Sequence, residues 1–382
     1  MDIVIDFVHG FLVDRNEDDA FDRLNYQITP FLFVLFSLIN ISKVYMGTGI
    51  NCFTKAEFKP GWIQYTHDYC LIENTYYLRT NESIPLEQET RGPKYISYYQ
   101  WVPFILVLQA CSFYLPHLAW RSFNWITGFQ IRAITSAAKE SVALTLDENK
   151  EAVRKIARSI YYASQLKHRT LNCMNEQKFV TALYLSMKFS YLLLICLHLA
   201  VFQRFIGSLG FALNILQNPG EWEKTSLFPR VTVCDFEILR YGQPLNYTVE
   251  CVLPLNMFNE KIFVFFFFWL VLLFSTTLFS IALWLYRLWN RRAFFRSLLT
   301  VYRRNDPSEK SSPSSPESDV VVTNTLTYNA QVDFGCDLRV VLGLIQDHTG
   351  LLFCSNVFFE MVNLSMVEST VDDAIGKIEK RQ

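Results

Sequence analysis

The chain of 382 residues lacks the signatures of chemistry. No HExxH, GxSxG, Walker A, GxGxxG or CxxC pattern occurs, so the common metal, nucleophile, nucleotide and redox centres have no support. The six histidines, His9, His67, His117, His168, His198 and His348, are dispersed and show no ligand spacing. No cofactor and no metal are expected, and the chain reads as a non-enzyme. A charge excess is also missing: 35 Lys and Arg stand against 36 Asp and Glu. Without a basic stripe interleaved with aromatics, nucleic acid is excluded as a partner. The opening MDIVIDFVHG has no positive n-region and carries Asp2 and Asp6, so no cleavable signal peptide is read there. The first span is then expected to act as its own insertion signal. No internal repeat is visible.

What the chain does have is apolar residue, 51% of the total with 33 Phe, gathered into long runs. Four of these approach the ~20 residues that a bilayer core requires. The spanning segments read as 28–46, 98–120, 179–206 and 261–286, with apolar cores at 28–46, 101–120, 180–202 and 262–284. Thr29 followed by Pro30 resembles a helix start, a cap hydroxyl and then a proline whose missing donor is harmless. Trp101 and Trp120 bracket the second span as interfacial anchors. Lys188 interrupts the third. A charge there must face protein or water, or snorkel to the interface.

Four spans put both termini on one side. Residues 121–178 carry 10 Lys or Arg, and Arg287, Arg291, Arg292, Arg296, Arg303 and Arg304 follow the fourth span. Residues 47–97 carry five and residues 207–260 carry three. The positive-inside rule then makes the termini and 121–178 cytoplasmic. The resulting organisation is an N-terminal helix at 1–27, extracellular loops at 47–97 and 207–260, a cytoplasmic helical loop at 121–178 and a cytoplasmic tail at 287–382. The basic stretch 287–304 marks topology and contact with membrane lipids. A Ser/Pro linker occupies 306–319, where Ser312 and Ser315 precede prolines as candidate phosphorylation sites, and 337–362 regains apolar periodicity.

Cys52 and Cys70 fall in the first outer loop, Cys234 and Cys251 in the second. An oxidising compartment allows them to bridge, and four cysteines permit three pairings. Cys111, Cys173, Cys196, Cys336 and Cys354 lie elsewhere and read as packing residues. The fold class is an all-α membrane protein: a four-transmembrane-helix bundle with disulfide-bonded extracellular loops and a helical cytoplasmic domain.

Several segments carry a family likeness. Tyr98-Tyr99-Gln100-Trp101-Val102-Pro103 resembles the signature of the innexins, the gap-junction proteins of invertebrates. Cys52-Phe-Thr-x-Ala-x-Phe with Trp62 and Tyr69-Cys70 resembles their first loop. Phe228-Pro229-Arg230 through Cys234-Asp235-Phe236 resembles the second, and Leu255-Asn256 with Glu260-Lys261 the approach to span four. The resemblance covers about 22–304, and Lys188 departs from the family pattern. It implies a ring of innexin subunits around a pore, eight in the innexins and seven in the related pannexins. Homomeric and mixed rings both fit. It implies a hemichannel that docks with one from the neighbouring cell at a plasma-membrane gap junction. It also implies the pairs Cys52–Cys251 and Cys70–Cys234. The alternatives are an unpaired hemichannel releasing ions and metabolites, and a four-span adhesion or scaffold protein without a pore.

Ile3, Val4, Phe7, Val8, Phe11 and Leu12 recur on one helical face, with Asp2, Asp6 and His9 opposite. The family reading folds this helix into the pore mouth, where a ring of Asp2 and Asp6 concentrates cations. Otherwise the helix lies on the inner membrane surface. Trp62 reads first as packing for the loop core and second as part of the outer pore constriction. Pro103 is expected in the second turn of span two, where it would kink the helix and serve gating, or be tolerated without a role. Asn81 and Asn246 head glycosylation sequons that read first as unused; a glycan on Asn246, if attached, would obstruct docking and leave an unpaired hemichannel.

Overall fold

The computed structural model describes residues 18–45, 47, 49–73, 75–78, 95–124, 129–143, 145–170, 178–206, 228–305 and 336–379. In chain order these form α1 (Ala20–Tyr45), β1 (Asn51–Phe53), α2 (Pro60–Ile72), β2 (Thr75–Tyr76), β3 (Tyr95–Ile96), α3 (Val102–Asn124), α4 (Ile131–Ser141), α5 (Leu146–Thr170) and α6 (Phe179–Ile206). There follow β4 (Val231–Arg240), β5 (Gln243–Val252), α7 (Pro254–Trp289), α8 (Arg291–Asn305), α9 (Cys336–Thr349) and α10 (Leu351–Glu379). Four of the described helices, α1, α3, α6 and α7, are long and apolar enough to cross a membrane. At 1.5 Å per residue the 36 residues of α7 reach about 54 Å, well beyond a ~30 Å hydrocarbon core.

The helix ends follow local chemistry. The Asp19 carboxylate caps α1 by accepting the amide N–H of Asp22 at 2.9 Å. Thr29 is not a cap. The helix is already running when it arrives, and a π turn at Leu24–Ile28 precedes it. That wide turn accommodates the absent N–H of Pro30. The Thr29 hydroxyl instead accepts the indole N–H of Trp269 at 3.0 Å. Pro103 lies at the start of α3 rather than in its second turn, a position where the helix has no use for its N–H. The proline inside α3 is Pro116.

The chain divides into two compact units, and α1, α3, α6 and α7 contribute residues to both. One unit holds Asn25–Tyr114 and Leu192–Ser275. Its helical part is packed by aromatics: Phe33 stacks on Phe266 at 4.0 Å, and Phe202 lies 5.2 Å from Phe263. Beyond the helices the two polar segments build a five-stranded antiparallel sheet in the order β1-β5-β4-β2-β3. The strands β4 and β5 meet through a two-residue turn in which Tyr241 (φ 54) and Gly242 (φ 80) are both left-handed. That geometry matches the twist of an antiparallel pair.

The other unit holds Leu115–Tyr191, the described residues up to Leu24 and those from Thr276 onward. Here α4 and α5 pack with α8, α9 and α10. Ahead of α5 the Thr145 amide N–H and hydroxyl both donate to the Glu148 carboxylate, at 3.3 and 2.7 Å, the reach-back half of a capping box. Gly350 (φ 87) closes α9, its N–H reaching the carbonyl of Gln346 at 2.8 Å. Residues 337–362, expected as a short helical unit, are the buried α9 and the first part of α10.

Candidate functional site

In the sheet unit, Cys52 is bonded to Cys251 and Cys70 to Cys234. These are the pairs implied by the family resemblance. Cys52 and Cys251 sit opposite each other on β1 and β5, while Cys70 on α2 reaches Cys234 on β4. All four are buried among Ile50, Phe58, Phe236, Val249 and Leu253. The inward face of β4 (Thr232, Cys234, Phe236) is apolar or bonded, and its outward face (Glu237, Leu239) is exposed. Each bridge ties the first loop to the second across a long stretch of chain, a constraint typically worth about 2–4 kcal/mol.

The motif residues converge beside this sheet. The Tyr99 hydroxyl donates to the Leu71 carbonyl at 2.9 Å, and the Gln100 amide donates to the carbonyls of Leu71 and Ile72 at 2.7 and 3.0 Å. The signature ahead of α3 therefore caps the end of α2, whose last carbonyls have no helical partner. Burial pushes the Tyr99 hydroxyl up to about 12, so it stays a neutral donor. Burial likewise raises Tyr98, despite its hydrogen bond with Asn256. Phe228 packs edge-on against Tyr98 at 5.8 Å, and the Asn256 amide donates to the Pro229 carbonyl at 2.9 Å. Arg230 lies 3.7 Å from Glu260. Three separate sequence motifs thus form one clamp that fixes the stapled loops to the helices.

A second cluster sits in the other unit. Lys188 is fully buried, and its ammonium donates to Asp19 (3.0 Å), Asp22 (2.7 Å) and the Ser280 hydroxyl (2.8 Å). Its three N–H groups have three partners. Ser280 and the Trp284 indole also donate to Asp19, at 3.2 and 2.8 Å, and the Tyr184 hydroxyl donates to Asp22 at 2.8 Å. Asp18 lies 3.3 Å from His117, both buried. Burial acts to raise the Asp19 carboxyl, but the Lys188 ammonium and the Trp284, Asp22 and Lys188 N–H donors outweigh it and hold it at about 2. Lys188 therefore faces protein, and it binds the cap and first turn of α1. Sequence reading missed Asp18, Asp19, Asp22 and Trp284. The available signal was the run Asp18-Asp19-x-x-Asp22 before an apolar helix, together with one unmatched lysine in another.

The remaining predicted positions are placed as follows. Trp62 lies in the first turn of α2, 38% exposed, with its ring edge-on to Phe58 at 5.7 Å. Asn246 is exposed on β5, and the Thr248 hydroxyl of its sequon donates to Asp235 at 2.7 Å. Asp2, Asp6, His9, Asn81, Cys173, Ser312 and Ser315 lie outside the described residues. Of the cysteines expected to pack, Cys354 is buried, but Cys111 and Cys196 are exposed on their apolar helices.

Four helices of spanning length among the described residues, with a disulfide-stapled sheet made from the segments between them, define a four-span membrane protein. The family model described as Innexin matches residues 18–364. The chain belongs to the innexin family, whose members form oligomeric gap-junction channels of the plasma membrane. It is 37% identical to "Innexin unc-9" of Caenorhabditis elegans over 71% of this chain and 74% of that protein. It is 29% identical to "Innexin eat-5" over 91% and 87%, and 34% identical to "Innexin-3" over 78% and 75%, both from the same organism.

Proposed function

We propose that eight copies of this chain, alone or mixed with other innexins, surround a water-filled pore and pass ions and small solutes down their gradients between adjacent cells. Both termini face the cytoplasm, and the stapled sheet forms the extracellular rim that meets the partner hemichannel. The observation that carries this reading is the covalent joining of the two loops, Cys52 to Cys251 and Cys70 to Cys234. A rim fixed before contact loses little entropy on docking. The N-terminal segment lines the pore entrance, with Asp2, Asp6 and His9 toward the solution, and Trp62 at the exposed start of α2 belongs to the outer constriction. A ring of repeated Asp2 and Asp6 favours cations.

Dye transfer between paired cells expressing only this chain tests the junctional reading. Transfer is expected with the unaltered chain and not with Cys52→Ser. Absence of transfer and of any membrane conductance from correctly inserted protein would refute it. Under a salt gradient, Asp2→Asn with Asp6→Asn shifts the reversal potential away from that of cations; an unchanged potential removes the acidic ring.

A further inference from the structure

The buried root of the N-terminal segment and the C-terminal helices share one side chain. Trp284 is 1% exposed, and its indole N–H donates to Asp19 at 2.8 Å. The far edge of the same ring lies against α9 at Gly343. A Cβ added to Gly343 would stand 3.1 Å from Trp284 Cη2 and 2.9 Å from Arg339 Nη1. The Arg339 atom ends a flexible side chain and can move aside, whereas the Trp284 ring must shift as a whole. Tyr184 meets the indole edge-on at 4.9 Å, and the Arg339 guanidinium lies 3.5 Å from the centre of the Phe294 ring. The buried indole thus lies between a glycine of α9 and a carboxylate at the start of α1.

A second route joins the same two places. Asp337, at the start of α9, accepts both the amide N–H and the hydroxyl of Thr181 at 2.8 Å. Thr181 is in the first turn of α6, where amide donors lack helical partners. Thr181, Tyr184 and Lys188 recur at intervals of three and four, so they lie on one face of α6. Tyr184 and Lys188 hold Asp22, and Lys188 also holds Asp19. Arg287, 5.1 Å from the centre of the Trp284 ring, pairs with Asp347 of α9 at 2.7 Å.

We propose that Trp284 is a positioning residue coupling the C-terminal helices α9 and α10 to the acidic root Asp19–Asp22, so that the seating of α9 sets how firmly that root is held and thereby the conductance of the pore. The final step rests on the N-terminal segment lining the pore. The test reads the root directly.

Hydrogen exchange at amides 19–24 is followed in the purified full-length assembly in lipid nanodiscs, and conductance is recorded from cells expressing the same variants. Trp284→Phe keeps most of the ring and deletes the N–H; Gly343→Val presses on the ring from α9. Both are expected to accelerate exchange about tenfold, the scale of a lost hydrogen bond to a charged group, and to change conductance per surface channel. Arg154→Ala breaks the exposed contact between α5 and Glu360 of α10 and leaves exchange at 19–24 unchanged. If Gly343→Val does not assemble, Asp337→Asn takes its place as the perturbation from α9. Unchanged exchange in Trp284→Phe and in the α9 variant overturns the coupling. Faster exchange with unaltered conductance keeps the coupling and overturns the N-terminal pore reading.

Discussion

The Lys188 ammonium lies 2.7 Å from the Asp22 carboxylate, both buried and 166 positions apart, in two helices of membrane-spanning length. A charge in such a helix is tolerated only when paired. Here the pairing does structural work beyond neutralisation, because it fixes the first turn of α1 to α6 and, through Ser280 and Trp284, to α7.

Removing one partner strands the other. Lys188→Met is expected to destabilise the subunit by about 3–5 kcal/mol, because the buried Asp19 carboxylate loses its counter-charge and Asp22 its ammonium donor. The triple variant Lys188→Met, Asp19→Asn, Asp22→Asn removes the charges together and recovers part of the loss. Thermal melting of the detergent-solubilised assembly, followed by size-exclusion chromatography, measures both.

The Asp19 carboxyl is held at about 2, below its ordinary value of 3.8. A depressed folded value means that its ionised form adds stability in full above the unfolded value, and that this is lost only as pH falls toward 2. Between pH 5 and 8 Asp19 stays charged. The defect of Asp19→Asn is therefore expected to have the same size across that range. A melting series at several pH values checks this, and a defect that vanished at pH 5 would contradict the assigned charge state.

Sequence alone made much of this legible, and its gaps have physical causes. The four spans are long, nearly uniform apolar runs, so their existence follows from composition. The loop cysteines are visible as residues, but their pairing is not, since any of three patterns satisfies the spacing. Of the sheet, β1, β2 and β3 have only three, two and two residues and gain their partners from distant parts of the chain, so they leave no local signal; the β4–β5 hairpin, ten residues a strand around Tyr241-Gly242, did carry one that the sequence reading passed over. Thr29-Pro30 has the composition of a helix start, but the capping carboxylate belongs to Asp19, ten positions earlier. Lys188 announced that it needed a partner; which one depended on folding that local pattern does not encode.

Cys354 is buried in α10, and its thiol donates to the Leu342 carbonyl at 3.3 Å. Burial pushes it up to about 12, so almost no thiolate exists at neutral pH. Alkylation at Cys354 is expected only after unfolding, and mass spectrometry of native and denatured samples distinguishes the two.

Asn246 stands exposed on the β4–β5 hairpin, close to the turn that carries Tyr241 at 94% exposure. A glycan there would fill the space that an apposed rim needs. Glycosylated copies are expected among unpaired surface protein and absent from junctional plaques. Asn246→Gln should abolish a glycosidase-sensitive mobility shift and increase dye transfer between cells.

The two bridges span 199 and 164 positions, and each joins a residue ahead of the second helical crossing to one behind the third. Neither can close during early synthesis. Cys52 and Cys70 have no final partner until Cys251 and Cys234 have been synthesised. The sheet is therefore sealed late in synthesis, and a chain stalled after its second crossing holds two cysteines whose final partners do not yet exist.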